Sequence, residues 1–389
     1  MVPVADALEL RPSVTGATRI ECITSSWGFT SLRPEWNALL RASASDSPFL
    51  TWDWLHTWWT HLGGSSRLRI AAVRAGQELI ALAPFRITEG RVAFLSRLDM
   101  LGTGEAGSDY LDVIVRRGWE AEGLRALVRF ARSENATLRI GHLAPAAAAF
   151  ELADLLVADG WTASTAPDGV CPRIPLAGHT WDSYLATLGS SHRANVRRRF
   201  KALGQKFSMR FELVTTEAQR REALAALMTF HERRYVGRGG STAFMTSALR
   251  AFHDEATKRA LDRGWLRMFV LRVNDALVAV MYGFMYNRRF YFYQHGFDDQ
   301  YQQHSIGLVL MGLSVRAAID DGADEFDMLW GVEPYKWLWA RETRELRKIQ
   351  LFPAHIGGRI HRGASGARRS LGTLARRVRA ITRRRSDAT

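Results

Sequence analysis

The residues able to do chemistry crowd into positions 288–340. Ser305-Ile306-Gly307 opens a long, largely apolar stretch with helical spacing. A helix start presents unpaired backbone N–H groups and the positive end of the helix dipole, and a glycine there lets a ligand approach the backbone closely. This makes the segment a candidate pyrophosphate seat, although Ser305 reads equally well as an ordinary N-cap. Titratable side chains flank it: His295 ends the strand-like run QHGF, Asp327 closes a second strand, and Glu333, Tyr335 and Lys336 follow. Asp327 also reads as a polar residue closing a strand, Tyr335 as a packing residue, His295 as a structural histidine and Lys336 as a solvated helix charge.

Other motifs carry less. Gly102-Thr-Gly104-Glu-Ala-Gly107 has the spacing of a dinucleotide fingerprint, but Ser108, Asp109 and Tyr110 lead into the strand-like LDVIV and not into a helix. A dinucleotide site needs that helix, so the run is expected to be a loop, with Asp109 and Tyr110 lining a substrate cleft. Leu55, Trp58, Trp59 and Leu62 fall on one helical face and read as core. Trp52 and Trp54 lie off that stripe, where they can stack on a sugar or base. Arg193, Arg197, Arg198, Arg199, Lys201 and Lys206 form a basic stretch without an acid; Arg193 and Arg197 share a helical face suited to an anionic substrate, or to solvent. The 11 histidines show no metal-ligand spacing, and Cys22 and Cys171 are the only cysteines. No metal is expected.

The elements that must position these residues alternate between strand and helix. The expected order runs through strands at 19–23, 68–74, 79–87, 111–115 and 138–143 with helices at 31–43, 51–62, 119–133 and 146–159, and Thr51 as an N-cap. A similar order returns after 177. The segment 68–86 aligns without gaps on 266–284, matching Leu68, Arg69, Arg74, Leu79 and Ala81 with Leu266, Arg267, Arg272, Leu277 and Ala279. Central antiparallel hairpins and mixed elements argue for an α/β (α+β) sheet protein, duplicated. At the place equivalent to Gly307, the first half carries Glu120 and Glu122 ahead of Gly123. Those carboxylates repel a phosphate, so any nucleotide cofactor belongs to the second half.

Composition bounds the class. The 389 residues, 47% apolar and 24% charged, describe globular domains and not a disordered chain. Net charge is +14, but from Gly357 onward ten arginines face the single acid Asp387, so most of the excess belongs to the tail. There Leu371, Leu374, Val378 and Ile381 recur at helical spacing among arginines, the pattern of a basic amphipathic helix or of a solvated, disordered tail. No apolar run of about 18 residues is long enough to span a bilayer, and Met1 to Arg11 lacks the pattern of an export signal. A cytoplasmic protein is expected, with peripheral contact to the inner face of an anionic membrane through the tail.

The strand, Ser-x-Gly helix start, second strand with Asp327, Gly331 and Tyr335-Lys336 resemble the C-terminal domain of GNAT-superfamily acyltransferases of the cellulose-biosynthesis CelD/BcsL type. Pro48-Phe49, Trp52, Trp58, Pro84 and the loop ending in Asp109-Tyr110 resemble that family's N-terminal part. The resemblance implies tandem duplicated GNAT domains with mixed, largely antiparallel sheets, similar to the FemAB transferases. The expected layout is an N-terminal degenerate domain over 18–176, a C-terminal acyl-CoA domain over 177–355 and a tail over 356–389. It further implies that acyl-CoA, most simply acetyl-CoA, is a co-substrate held where two strands splay apart, by Phe297, Gln302, Gln303, His304, Ser305, Ile306 and Gly307. The family loop is normally Q/R-x-x-G-x-G/A, and here only Gly307 is glycine. Direct acyl transfer needs a base, a polarised carbonyl and an acid. Asp327 is the expected base or acceptor orienter, with Glu333 in reserve, and the resemblance makes Tyr335 the acid. His295 would orient the acceptor, while Asp109, Tyr110, Trp52, Lys336, Arg193 and Arg197 would bind it. The expected reaction is acyl transfer to an amine or hydroxyl of a sugar, glycan precursor or polar metabolite in polysaccharide or cell-envelope biosynthesis. Two alternatives stand beside it. One is a FemAB-like aminoacyltransferase using aminoacyl-tRNA, the only reading with a nucleic-acid partner. The other is a non-catalytic binding or scaffold protein acting through its tail.

Overall fold

A computed structural model describes residues 18–88, 96–235 and 243–354 of the chain, without the side chains of Arg234 and Tyr235. The basic tail lies outside the described residues. In the first half the elements are β1 (Thr18–Ile23), α1 (Ser26–Ser31), α2 (Arg33–Arg41), α3 (Trp52–Leu62), β2 (Arg67–Ala75), β3 (Glu78–Thr88), β4 (Arg97–Met100), β5 (Ile114–Val115), α4 (Glu120–Glu134), β6 (Thr137–Leu143), α5 (Ala148–Ala158) and β7 (Thr162–Pro175). The second half comprises α6 (Trp181–Thr187), α7 (Ser190–Lys206), β8 (Met209–Leu213), α8 (Glu217–Tyr235), α9 (Ser247–Asp262), β9 (Leu266–Val273), β10 (Ala276–Tyr286), β11 (Arg289–Phe297), α10 (Ile306–Asp320), β12 (Glu325–Asp327), α11 (Lys336–Trp339) and β13 (Glu342–Phe352).

One mixed, mostly antiparallel sheet runs β1-β2-β3-β4-β6-β13-β7-β12-β11-β10-β9-β8. Its order is nearly symmetric about the central β13–β7 pair, and the parallel neighbours β4–β6 and β11–β12 occupy matching places. The last strand of each half is exchanged: β7 pairs with β12 of the second half, and β13 pairs with β6 of the first. The two exchanged strands pair along their length, from Glu342↔Arg173 to Phe352↔Thr162. The β4 and β7 strands escape sequence reading because Arg97 and Asp99 in β4, and Pro167, Asp168 and Gly169 in β7, look like turn or surface residues.

The repeat seen in sequence is physical. In the β2–β3 hairpin, Val73 faces Ala81 and Arg74 faces Leu79, leaving Ile80 bulged; in β9–β10, Leu271 faces Ala279 and Arg272 faces Leu277, bulging Val278 at the aligned position. Arg74 donates to the Gln77 carbonyl and Arg272 to the Asp275 carbonyl, each bracing its own turn. Arg69 and Arg267 each reach an acid at the end of the helix on their sheet, Glu134 and Asp321. A bulge at one register, braced by the same ion pairs, is conformational detail that two unrelated hairpins rarely share.

The Thr51 hydroxyl accepts from Trp54 N–H, the cap its sequence predicts. The expectation that Trp52 and Trp54 are available to stack on a ligand is corrected. Trp52 is 2% exposed; its indole N–H donates to the Phe29 carbonyl, its ring stacks on His56, and the Arg33 and Arg259 guanidinium groups cover it. Trp54 is also buried, donating to Ser108. Helix α3 is enclosed on more than one side, so its off-stripe aromatics become core as well.

Candidate functional site

The β11 and β12 strands pair only at Arg289↔Glu325, Phe290↔Phe326 and Tyr291↔Asp327. Beyond this point β11 continues to Phe297 beside β10, whereas the chain after Asp327 follows β7, with Met328 N–H donating to the Pro172 carbonyl and Gly331 N–H to Val170. A V-shaped cleft opens between them. Along it the edge of β11 has lost its β12 partner, and Tyr293 is bulged out of the β10 register. Edge N–H and C=O groups inside a cleft favour a ligand that supplies amides of its own.

The α10 helix starts at the wide end of this cleft. A tight turn over Asp299–His304 leads to Ser305, whose φ of 57° is left-handed and whose side chain caps nothing. Ser305 thus takes the strained conformation that glycine adopts most readily. Leu308 and Val309 N–H both donate to the Ser305 carbonyl, so the Ile306 and Gly307 N–H groups precede the first intrahelical bonds. No acid sits in the first turn. A Cβ on Gly307 would lie 3.0 Å from the Phe297 ring, so any side chain there presses on that ring. Gln302, Gln303 and His304 complete the turn, and Phe297 closes it from the strand. The seven residues expected to hold the cofactor thus lie together at this turn, Ile306 with its side chain buried.

On one face of the cleft, His295 and Tyr335 meet with ring centroids 5.4 Å apart, Tyr335 being half-buried at the start of α11. On the other face lies the loop between β4 and β5, where Tyr293 Oη donates to the Ala106 carbonyl. At the apex, Asp327 is fully buried. Its carboxylate accepts from Tyr110 Oη at 2.6 Å, Arg344 Nη1 at 2.8 Å and Leu329 N–H at 2.9 Å. Burial pushes the Asp327 carboxyl up to about 6, with Arg344 pulling the other way. Burial first, and then the Asp327 charge, drives the Tyr110 phenol well above its usual value. Arg344 also grips Glu325, which Arg173 and Arg289 share. This network ties β7, β12 and β13 together, so Asp327 stands at the seam between the halves.

The other expected residues divide. Lys336 is buried and points its three protons at the Leu329 and Trp330 carbonyls and at Glu333, which corrects its reading as a solvated charge. A lysine buried beside two carbonyls pins the turn that bears Gly331. Glu333 is half-exposed and Asp109 is buried. Arg193 donates to the Ala186 carbonyl, and Arg197 is 62% exposed on α7, 3.9 Å from Asp182. No contact joins either arginine to the cleft residues. Sequence reading missed Arg344, Glu325, His142 and Trp330. Each acts through a partner more than ten residues away or through its backbone, which leaves no local pattern to read.

The first half has the same parts in a closed form. Its parallel pair ends at Asp99↔Arg139, with buried Asp99 held by Arg97 at 2.7 Å and Arg139 at 2.8 Å. At the start of α4, the Glu120 carboxylate accepts from Gly118 N–H at 2.7 Å. The protein's own anion occupies that helix end. Among the described residues no group of three or more His, Cys, Asp or Glu side chains is placed to hold a metal ion, and no helix is long and apolar enough to cross a membrane.

Residues 190–337, which include both sides of the open cleft, match the family model for the acetyltransferase (GNAT) domain. The chain has a FemX-like fold of two halves joined in one mixed sheet, the second of which carries the stretch matched by the GNAT domain model. Among solved structures, FemX aligns with a TM-score of 0.57 and 13% identity over 85% of this chain and 96% of that one. The C-terminal domain of a putative lysylphosphatidylglycerol synthetase from Agrobacterium fabrum aligns at 0.53 and 10% identity, over 88% and 96% of the two chains. L-PGS from Bacillus licheniformis aligns at 0.51 and 13%, over 81% and 90%. No curated protein matches the sequence. At these identities the structures establish the fold alone. Within it, both halves have a parallel strand pair of three residue pairs, but only the second has a helix start with no acid in its first turn.

Proposed function

We propose that this protein is an acyl-CoA-dependent acyltransferase, delivering an acetyl group to an amine or hydroxyl of a sugar, glycan precursor or related polar metabolite in polysaccharide or cell-envelope biosynthesis. The observation that carries the reading is the cleft between β11 and β12, with the acid-free start of α10 at its wide end. A pyrophosphate fits the Ile306 and Gly307 amides. The two amides of a pantetheine arm fit the edge of β11 beyond its pairing with β12, adding strand-like hydrogen bonds. Both features lie in the half matched by the GNAT model.

The residues divide the work. Tyr335 gives its proton to the departing thiolate, and His295 holds it in position across the cleft. Asp327 keeps Tyr110 and Arg344 in place at the apex and so orients the acceptor side, with Glu333 as the solvent-facing carboxylate. A CelD/BcsL-type role accords with the Tyr335-Lys336 and Asp109-Tyr110 pairs, which the structure brings to the two sides of one seam. The solvent-facing arginines of α7 and the net charge of +14 favour, as a second reading, an aminoacyl-tRNA donor, since a polyanion binds such a surface.

Calorimetric titration with acetyl-CoA and longer acyl-CoAs tests the first reading. Saturable binding to one site per chain is the expected result. No binding at any chain length overturns it, and aminoacyl-tRNA binding that weakens steeply with salt establishes the second.

A further inference from the structure

A second cluster of proton-handling groups lies where the exchanged strands meet. Asp109, in the loop between β4 and β5, accepts from His142 Nδ1 at 2.8 Å and from Trp330 N–H at 2.8 Å, with Cys171 Sγ at 3.9 Å. To bond a carboxylate, Nδ1 must carry the hydrogen. The neutral imidazole then keeps its lone pair on Nε2. Asp109 is buried but the His142 side chain is 32% exposed, so Nε2 belongs to the accessible end of the pair. This is the arrangement of an oriented base: a buried carboxylate fixes the tautomer and steadies the imidazolium when it forms.

The surroundings are built at some cost. Tyr110, His142 and Leu329 adopt left-handed φ values of 57°, 54° and 56°, and Gly169 and Gly331 have φ of 113° and 136°. Left-handed backbone at a non-glycine residue is strained, and such residues gather at ligand sites. Gly169 lets the Trp330 indole lie against the β7 backbone, since a Cβ there would be 2.1 Å from Nε1. Nε1 donates to the Asp168 carbonyl, yet Trp330 remains 53% exposed, its ring 6.3 Å from that of His142. A large aromatic held rigidly and left open is a platform. It lies on the stretch that forms one wall of the cleft.

The charges facing His142 come from Asp109, from Asp168 on β7 and from Lys348 on β13. Asp168 Oδ2 is 4.0 Å from Nε2, and Lys348 pairs with the other Asp168 oxygen at 2.8 Å. Two carboxylates against one lysine favour a cation at Nε2. Burial works against the imidazolium, but the hydrogen bond and charge of Asp109, with Asp168, outweigh it and Lys348, so the His142 pKa is raised.

We propose that His142, oriented by Asp109, is the base for a primary amine carried on a ring that rests against Trp330. This deepens the acyltransferase reading and rests on it. The amine enters as an ammonium ion and gives one proton to His142 Nε2. The freed amine attacks the thioester carbonyl, the C–N bond forms and the C–S bond breaks. Its second proton compensates the one that Tyr335 gives the thiolate, and His142 releases its proton to water. Overall, ammonium and acyl thioester become amide, thiol and one proton.

The test follows acetyl-CoA-dependent thiol release with glucosamine as the probe acceptor, across pH, in the full chain. For the wild type, kcat/KM should rise with pH through one group titrating above the ordinary histidine value. His142→Asn suits the left-handed backbone. It should lower kcat on the order of 100-fold or more, abolish the acidic limb and leave acyl-CoA affinity unchanged. Asp109→Asn should move the limb to lower pH, because it removes the charge that raises His142. A His142→Asn enzyme that keeps its limb and its rate, or thiol release that depends on glucose but not on glucosamine, overturns the proposal while acyl-CoA binding stands. Absence of acyl-CoA binding overturns the acyltransferase reading instead.

Discussion

The two halves present the same construction with opposite endings. Each has a bulged hairpin, a parallel strand pair that opens after three residue pairs, and a helix whose start faces the opening. In the first half Glu120 and Glu122 stand in the first turn of α4, and Glu120 accepts from Gly118 N–H just ahead of the helix. In the second, Ser305 adopts a left-handed conformation, no acid enters the first turn, and Gly307 leaves room for Phe297 and little else. A helix start attracts an anion from whichever source is nearest. The two helix starts differ in charge: two carboxylates in the first turn of α4 and none in that of α10. Both strand pairs nevertheless keep a buried aspartate with arginine at the point of opening, Asp99 in one and Asp327 in the other.

That shared aspartate gives the largest expected effect. Removing Asp327 leaves the largely buried Arg344 short of a partner, so Asp327→Ala should lower unfolding free energy by about 3–5 kcal/mol in denaturant titrations, and Asp99→Ala by less, because its partners Arg97 and Arg139 are 31% and 43% exposed. Only the Asp327 change should also disturb catalysis, because only its half is open. If the isosteric Asp327→Asn turns over like the wild type, Asp327 is a seam residue like Asp99 and the contrast is confined to the helix starts. Next in size is Gly307→Asp, which puts a carboxylate into the first turn of α10, as Glu120 and Glu122 do in α4, and crowds Phe297. Acyl-CoA affinity should fall on the order of 100-fold by calorimetry; undiminished binding would place the cofactor elsewhere. Smallest is Glu120→Gln, which removes the charge but keeps a hydrogen-bonding end. It should cost about 0.5 kcal/mol or less of stability and leave acyl-CoA binding unchanged. A gain of a second binding site would show that the first half is closed by this carboxylate alone.

Local chemistry was legible wherever one short segment decides the outcome. The Thr51 cap, the paired hairpins, the helix after Ser305 and the hostile carboxylates at Glu120 and Glu122 are all short-range effects of side chain on backbone, so sequence spacing predicts them. Trp52 failed because a helix packed on several sides has no free face, and one helix's periodicity does not report its neighbours. Lys336 failed for a related reason: the carbonyls of Leu329 and Trp330 are good lysine acceptors only because the turn around Gly331 folds them inward. Arg344 and His142 carried no local signal, since Arg344 lies on an exchanged strand and the Asp109 that meets His142 is 33 residues away in the chain.

The sequence by itself determined the duplicated architecture, which half has a helix start free of acids, and that most of the positive charge lies in the tail. These follow from composition, periodicity and charge within a few residues. Tertiary structure alone decided that the final strands change places and that Asp327 faces Tyr110 and Arg344 rather than solvent. It also decided that Asp109 meets His142 beneath an open tryptophan. The physical reason is range: strand exchange brings residues more than two hundred positions apart within a hydrogen bond, as at Tyr110 and Asp327, and no spacing along the chain encodes which strand lies next to which.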